Sequence, residues 1–565
     1  MSSLPRSLAV LACGIALSTG ACRKGPKPLP LTAAEEARQL ALGSAAISNL
    51  DRTFDRVDAI AKALSLPFDK AAQRKSFLDS LKAPAALVNA LRTDAPVSVV
   101  AFPSKQPKKE PEVVMAAQGK SAEALQAVIA GMGQPLAAKD DAKSFKVGEE
   151  TVWLLQRKTT LVAAQSLESL VLGAALAMEE AATTDDDVKV RVSPEAIAKS
   201  QGTDLKTALS GSLADWIAAV KSMPGQSPMA AQVLEGLFKP AVDRLAEVET
   251  AGISLRLDAQ KGAALRMEIS PRKGSKLAAT VGKSVPYTLD ARVVPEGDAM
   301  AIMAFSPTDI LTALWADLRP LVAKDKAGED AAKQIDVVFN AFSFGGSAAM
   351  AIADKQMTMS GVYGMRKGAD GEALLSTMAA LMNGPWYQSL LSAGGARSKV
   401  TVKRDKDVLL VSTNQEAPKT MPPAMAEAMK GMGLMSQTMA LLVDQGGFFF
   451  TSGKNAAARV RQLVSAQPRK PQGLAATALA ESANADGIFF MDLGQFVKLG
   501  AAAMGAGENP MFANLRLPLW FSYRGGKSPA LEMRIPMELA RGVAAFAPML
   551  MGMGMGMGAQ PPVGP

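Results

Sequence analysis

Apolar and polar positions along the chain alternate in blocks that occur twice in the same order. The run Val188-Lys189-Val190-Arg191-Val192 alternates with the two-residue period of a strand and is followed by Ser193, a residue that favours helix starts. A similar run, 487–491, is followed by Asp492. The aspartates immediately before the two runs, Asp187 and Asp486, align with each other. Each block therefore predicts a strand that leads into a helix.

Further blocks correspond in the same order. Ile253–Ile269 corresponds to Leu519–Ile535, and each predicts two strands joined by a polar turn. Three more segments, 97–102, 112–118 and 121–132, correspond to 348–353, 357–363 and 370–381, while 152–155 matches 408–411 and 161–164 matches 448–451. Helical spacing of apolar residues from Ile47 to Leu64, and a helix start at 306–309, open the two halves. The chain is therefore predicted to contain an internal duplication.

These elements predict an α+β fold. Short loops between successive strands favour antiparallel pairing. We expect two tandem, internally duplicated domains, each an antiparallel or mixed sheet with helices packed on one face. The first domain is predicted over residues 32–286 and the second over 287–548.

The second half contains a methionine-rich insertion, 413–446, that the first half lacks. Its methionines recur at helical spacing and would form one stripe on a helix: Met421, Met425, Met429, Met432, Met435 and Met439. The stripe could pack the inserted helix onto its own sheet, offer an adaptable apolar surface to a ligand or partner, or bind copper(I) through its thioethers. As a site, it is a candidate for ligand or partner contact, and no metal site is predicted. The alternating Met-Gly run and final prolines of residues 549–565 predict a flexible tail.

The N-terminus has the features of a secretory signal peptide. One basic residue, Arg6, precedes an apolar run, and small residues lead up to Cys22. This arrangement resembles the lipobox of bacterial lipoproteins, although Thr19 stands where that family usually has Leu. The resemblance implies removal of residues 1–21, acylation of Cys22 and a tether over 22–31. It further implies export and anchoring in the cell envelope, at the outer membrane, through N-terminal acyl chains.

The duplicated pattern also resembles a family of uncharacterised bacterial secreted and lipoprotein domains with duplicated α+β units. Weak patterns carry this resemblance, such as Leu161-Val162-Ala163-Ala164-Gln165-Ser166 running into a helix. It transfers no catalytic residue.

Composition excludes several functions. The sequence contains no histidine, and of its two cysteines one lies in the leader while the other is Cys22. Ser-His-Asp and Cys-His catalysis and imidazole or thiolate metal sites are therefore excluded. A net charge of +9 is mild for 565 residues, and the dispersed basic residues with few Tyr and Trp argue against nucleic-acid binding. We predict no catalytic residue and no cofactor.

Three functions remain open. The first is a non-catalytic envelope lipoprotein that binds a protein partner or an apolar ligand. The second is a purely structural or assembly lipoprotein, which would expose a large apolar patch. The third is a hydrolase that uses a Ser-Lys pair or paired carboxylates, which no spacing supports.

Overall fold

The computed structural model describes residues 27–80, 85–104, 110–147, 150–182, 186–221, 238–308, 310–353, 356–393, 398–417, 423–431, 435–503, 512 and 514–545. The chain forms two compact units. The first contains residues up to Leu205 together with Glu249–Ser270, and the second contains Lys206–Val248 and the chain from Pro271 onward. This division differs from the predicted boundary at residue 286, because residues 206–248 and 271–286 belong to the second unit.

Among its described residues, the first unit contains seven α-helices and ten strands. The helices are α1 Ala34–Leu40, α2 Leu50–Ala63, α3 Lys70–Ser80, α4 Ala85–Ala90, α5 Ala122–Gly131, α6 Leu167–Ala182 and α7 Pro194–Ser200. The strands are β1 Gly43–Ile47, β2 Val97–Phe102, β3 Glu112–Gln118, β4 Ala137–Lys139, β5 Ala142–Val147, β6 Glu150–Arg157, β7 Thr160–Ala164, β8 Val188–Val192, β9 Val248–Asp258 and β10 Gly262–Pro271. Side chains cap several helix starts: Asn49, Ser121 and Ser193 accept hydrogen bonds from the backbone N–H groups of α2, α5 and α7.

The sheet of the first unit has the strand order β4-β5-β6-β7-β3-β2-β1-β8-β9-β10. The pairs from β4 to β9 are antiparallel, and β9 pairs with β10. Neighbouring residues of one strand enter different cores: Leu155 and Val162 pack with Leu170 of α6, while Leu154 and Leu161 pack with Leu125 of α5. Both faces of this sheet are therefore covered by helices.

The second unit repeats this plan with ten further strands. Its labelled helices are α8 Leu205–Lys221, α9 Lys276–Val281, α10 Ile310–Val322, α11 Lys326–Ala341, α12 Gly371–Asn383, α13 Pro385–Ala393, α14 Pro423–Gly431, α15 Ala456–Val464, α16 Gly473–Glu481 and α17 Leu493–Ala503; residues 238–245 and 537–545 are also helical. The strands are β11 Ala301–Phe305, β12 Phe342–Ala353, β13 Gln356–Met365, β14 Ser398–Asp405, β15 Val408–Gln415, β16 Ser436–Asp444, β17 Gly447–Ser452, β18 Gly487–Asp492, β19 Pro518–Arg524 and β20 Ala530–Ile535.

The second sheet has the order β14-β15-β16-β17-β13-β12-β11-β18-β19-β20, and every neighbouring pair is antiparallel. Numbered from its own first strand, this order is identical to that of the first unit. The run Phe448-Phe449-Phe450 shows how both faces are covered. Phe449 packs in one core with Val460 of α15, and its two neighbours pack in another with Leu374 of α12.

The predicted α+β class with antiparallel pairing is confirmed, but the expectation of helices on one face only is wrong. Runs such as 448–450 are apolar at successive positions, so both faces of the strand need cover. The apolar stripe predicted for the first helix also began too early. Ile47 ends strand β1, and the helix starts at Leu50 after its cap. The strands β1 and β11 are not among the predicted elements.

The predicted insertion is shorter in the fold than in the sequence comparison. Strand order places β16 where the first unit has β6, so residues 436–444 belong to the shared sheet. The additional chain is the connection between β15 and β16, which contains helix α14. The alignment of 152–155 with 408–411 matches β6 with β15. In the sheet order β15 corresponds to β5, so this alignment is wrong by one strand.

Candidate functional site

An apolar cavity of about 730 Å³ lies within the second unit. Strands β11, β12, β13 and β17 to β20 contribute side chains from the sheet, and helices α9 to α12 contribute one or two residues each. Aromatic rings dominate the sheet side: Phe305, Phe342, Phe344, Tyr363, Phe448, Phe489, Phe521 and Tyr523. The volume falls within the range of about 300–1,000 Å³ that is typical of small-molecule sites.

A strained residue shapes one wall of the cavity. Strand β12 shifts register between Phe342 and Gly346, and Phe344 has φ +57° there. A bulky side chain rarely adopts this left-handed conformation, which costs on the order of 1–3 kcal/mol. The bulge places Phe344 on the cavity, with its ring centroid 4.9 Å from that of Phe339. Such strain is frequently found at binding sites.

Glycines allow the bulge to close against its neighbours. A Cβ on Gly345 would lie 2.8 Å from the Pro307 ring, and one on Gly346 would lie 2.5 Å from the Val362 carbonyl oxygen. Only residues without a Cβ fit these two positions without a shift of their neighbours.

Exposed apolar side chains, together with the exposed Lys283, lie at the mouth of the cavity. Val285 is 51 % exposed, Leu311 is 42 % exposed and Leu531 is 36 % exposed, and all three line the cavity. The cavity is therefore bordered by apolar side chains that remain in contact with solvent, as expected of an entrance for an apolar molecule.

The other feature of the lining is a buried carboxylate. Asp486 is 6 % exposed and immediately precedes β18. Its Oδ1 accepts a hydrogen bond of 2.7 Å from the Ser284 hydroxyl, and its Oδ2 accepts one of 2.7 Å from the Gly525 N–H. A Cβ on Gly525 would lie 2.4 Å from the Lys283 carbonyl oxygen, so glycine is required where this turn packs against the segment before Ser284.

Tyr523 lies beside this carboxylate. The backbone N–H of Asp486 donates to the Tyr523 carbonyl oxygen at 2.7 Å. The phenol oxygen of Tyr523 is buried and has no hydrogen-bond partner within the described part of the chain. Burial, and then the negative charge of Asp486, raise the pKa of the Tyr523 hydroxyl above its usual value. The cavity thus contains a protonated phenol whose hydrogen-bonding capacity is unused.

The six predicted contact methionines do not form one helical stripe. Helix α14 ends at Gly431; Met435 is buried beyond it, and Met439 lies in β16, where it packs in the sheet core. Met429 is half-buried on α14, and Met425 is also on that helix. Met421 and Met432 lie outside the described residues. Met429, Met435 and Met439 are not among the residues that line the cavity, whereas Met378 of α12 is.

The lipidation site also lies outside the described residues, as do the leader, the first part of the tether and the predicted tail 549–565. The end of the tether is folded. Leu29 is buried in the core of the first unit, and its N–H donates to Asp141 Oδ1 at 2.8 Å. The folded domain therefore begins before residue 32, which is the predicted start of the first domain.

The first unit has a second, polar cleft of about 1,090 Å³. Four of its charged lining residues form two ion pairs: Arg38 Nη1 binds Glu35 at 2.5 Å, and Lys199 Nζ lies 2.8 Å from Glu195. Because these pairs satisfy most of the charge in the lining, which also includes Glu249, the cleft offers less to a ligand than the apolar cavity does.

Across the described ranges, no cluster of three or more Cys, Asp and Glu side chains could hold a metal ion, and no helix is long and apolar enough to cross a bilayer. Lys498 is the lysine to consider for Ser-Lys chemistry. Burial, and then the charge of Arg516, lower the pKa of its ammonium group. Its other charged neighbours are Asp492 and Asp298, which form ion pairs with Arg516. Lys498 therefore lies in a network of charged side chains.

Sequence reasoning missed the cavity residues because their apolar character is that of any core strand. One signal was present in the sequence. Asp486 was aligned with Asp187, but the alignment could not show that the two carboxylates are buried.

No protein-family model and no curated protein sequence matches the chain. Among solved structures, crystal form III of TP0453 is similar over 42 % of this chain and 81 % of its own, with 7 % identity and a TM-score of 0.19. Crystal form I of TP0453 is similar over 45 % of this chain and 87 % of its own, with 7 % identity and a TM-score of 0.20.

Proposed function

We propose that this chain is a non-catalytic binding protein whose second unit holds an apolar small molecule. The aromatic cavity of about 730 Å³ is the single observation that carries the proposal. Pockets of this size, mostly apolar with a few polar groups, are the usual form of ligand sites. In this proposal the protein is exported and anchored in the cell envelope through acyl chains at Cys22, as its resemblance to bacterial lipoproteins implies.

Three features support binding in preference to a purely structural role. The cavity borders exposed apolar residues at its mouth, a strained aromatic residue forms part of its wall, and a buried phenol has unused hydrogen-bonding capacity. A structural protein gains nothing from leaving such space unfilled, since each empty volume in a core lowers stability.

A neutral dye tests the proposal. N-phenyl-1-naphthylamine fluoresces in apolar surroundings, so the purified protein should enhance its emission at one saturable site. Neighbouring valines of α11 offer a matched pair of variants: Val338 lines the cavity, whereas Val337 is 43 % exposed and does not. Val338→Trp should fill the cavity and lower dye affinity about tenfold or more, a loss of about 1.4 kcal/mol. Val337→Trp should leave affinity unchanged.

Thermal unfolding provides an independent readout. A ligand that binds only the folded state raises the unfolding temperature, and the rise grows with the logarithm of ligand concentration above Kd. The dye should therefore stabilise the wild-type protein and Val337→Trp, but not Val338→Trp. Failure of the dye to bind the wild-type protein, or equal binding by both variants, would refute an apolar site in this cavity.

A further inference from the structure

The carboxylate in the cavity has a structural counterpart in the first unit, and the two have the same backbone surroundings. Asp187 N–H donates to the Leu255 carbonyl oxygen, as Asp486 N–H does to that of Tyr523. Ser48 N–H donates to the Asp187 carbonyl oxygen, as Ser306 N–H does to that of Asp486.

The side-chain contacts continue the correspondence. Oδ2 of Asp187 accepts a hydrogen bond from the Leu257 N–H at 2.7 Å, and Oδ2 of Asp486 accepts one from the Gly525 N–H at 2.7 Å. Asp187 directly precedes β8 and Asp486 directly precedes β18, and these two strands hold the same place in the strand orders of their sheets. The two carboxylates therefore occupy one position of a shared fold plan.

They differ in how their charge is balanced. Asp187, which is completely buried, accepts hydrogen bonds from Arg56 Nη1 at 2.8 and 2.7 Å, and Arg52 Nε lies 3.6 Å away. Both arginines come from α2, the helix that follows Ser48. Among the described residues, the Asp486 carboxylate accepts hydrogen bonds only from the Ser284 hydroxyl and the Gly525 N–H, and neither donor is charged.

The helix that follows Ser306, α10, cannot supply the missing cation. Its basic residue is Arg319, which binds Asp336 instead, with Nη2 2.8 Å from Oδ2. Where α2 presents arginines, α10 presents apolar residues such as Leu311, and the cavity lies there. The second unit thus has a buried anion next to a cavity in the place where the first unit has an internal ion pair.

A buried carboxylate without a positive partner is costly, because little solvent remains to stabilise its charge. Aromatic rings on the same cavity, including Phe489 and Phe521, can also stabilise a cation through their faces. The phenol oxygen of Tyr523 can accept a hydrogen bond from an ammonium group.

We propose that the ligand of the second unit is a cationic amphiphile, an amine with an apolar body, whose ammonium group pairs with Asp486 as Arg56 pairs with Asp187. This inference rests on the proposed function and adds the charge of the ligand to it. Lys283 also borders the cavity and would oppose a cation, but it is exposed, so water and salt screen its charge.

Three ligands with one chain length test the inference. Dodecylammonium, dodecanol and dodecanoate, each below its micelle concentration, compete with N-phenyl-1-naphthylamine for the wild-type protein. Dodecylammonium should compete about tenfold more strongly than dodecanol, and dodecanoate should be the weakest. In Asp486→Asn the advantage of the cation over the alcohol should disappear; the two competitors are compared within the same variant, so a change in dye affinity does not affect this ratio.

Ser284→Ala is the matched control, because it removes a donor to Asp486 and leaves the charge in place. It should retain the preference for the cation. The wild-type series remains decisive if Asp486→Asn does not fold.

The outcomes separate this inference from the proposed function. Absence of dye binding refutes the cavity as a ligand site. Dye binding with equal competition by all three ligands refutes the cationic ligand alone. Stronger competition by dodecanoate also refutes it and would assign the head group to Lys283 and Tyr523. Persistence of the cation preference in Asp486→Asn would show that another group recognises the charge.

Discussion

Arg56 and Asp187 form an ion pair in which one guanidinium nitrogen lies 2.8 and 2.7 Å from the two oxygens of a fully buried carboxylate. The pair joins α2 to the start of β8. The same carboxylate accepts a hydrogen bond from the Leu257 N–H of β9, so it also connects the start of β8 to β9. The second unit keeps the carboxylate and its backbone contact at Asp486 but has no equivalent arginine among its described contacts.

Arg56→Met should destabilise the first unit. Removal of one partner leaves Asp187 buried with only the more distant Arg52 to balance its charge, which we expect to cost about 2–3 kcal/mol. Urea unfolding followed by circular dichroism measures the loss. Arg92→Met is the control in the same unit, since Arg92 pairs with Asp94 on the surface and should show no measurable loss. Equal effects would mean that the buried pair has no special role.

Two helical glycines should respond to alanine in opposite directions. A Cβ on Gly173 of α6 would lie 2.5 Å from the Phe102 ring and 2.7 Å from Val114, whereas one on Gly211 of α8 would meet nothing within 4 Å. Gly173→Ala should therefore destabilise by about 1–3 kcal/mol through overpacking. Gly211→Ala should stabilise by up to about 1 kcal/mol, because alanine favours a helix. Thermal unfolding of both variants measures the two signs, and stabilisation by Gly173→Ala would contradict the close packing of α6 on β2 and β3.

Asp290 should make stability depend on acidic pH. Hydrogen bonds from the Arg292 side chain lower the pKa of this carboxyl in the folded protein below its usual value. The associated stability is present above the unfolded-state pKa of about 3.9 and is lost as pH falls through the lower folded-state pKa. Asp290→Asn should be less stable at neutral pH and should lose less stability on acidification below about pH 4 than the wild type does. Urea titrations at several pH values measure both curves; parallel curves would contradict this role.

Cys22→Ser should release the protein from membranes. The resemblance to a lipobox implies that acyl chains on Cys22 provide the anchor, and serine cannot be acylated in that way. Mass spectrometry of the native protein should show a lipid-modified chain that begins at Cys22, and cell fractionation should move the variant from the membrane to the soluble fraction. An unmodified native chain with residues 1–21 retained would refute the lipoprotein proposal.

Local patterns in the sequence were sufficient for several elements. Ser193 caps α7, as predicted from its place between an alternating run and a helical one, and the hairpins at 253–269 and 519–535 lie within β9–β10 and β19–β20. These features depend on residues close together in the chain. The predicted helical stripe of methionines is wrong because it depends on contacts between residues far apart in the chain. Helical spacing alone could not reveal that Gly431 ends α14 and that Met439 joins a strand paired with β15 and β17.

The sequence by itself determined the α+β class, the order of most elements, and the exclusion of histidine chemistry, because these follow from composition and from contacts between near neighbours. Only the tertiary structure decided where the cavity lies and which carboxylate borders it. Asp187 and Asp486 align in the sequence, but their difference depends on Arg52 and Arg56, more than a hundred residues before Asp187, and on the apolar helix before Asp486. Charge balance at a buried site depends on which distant side chains reach it, and folding alone brings them together.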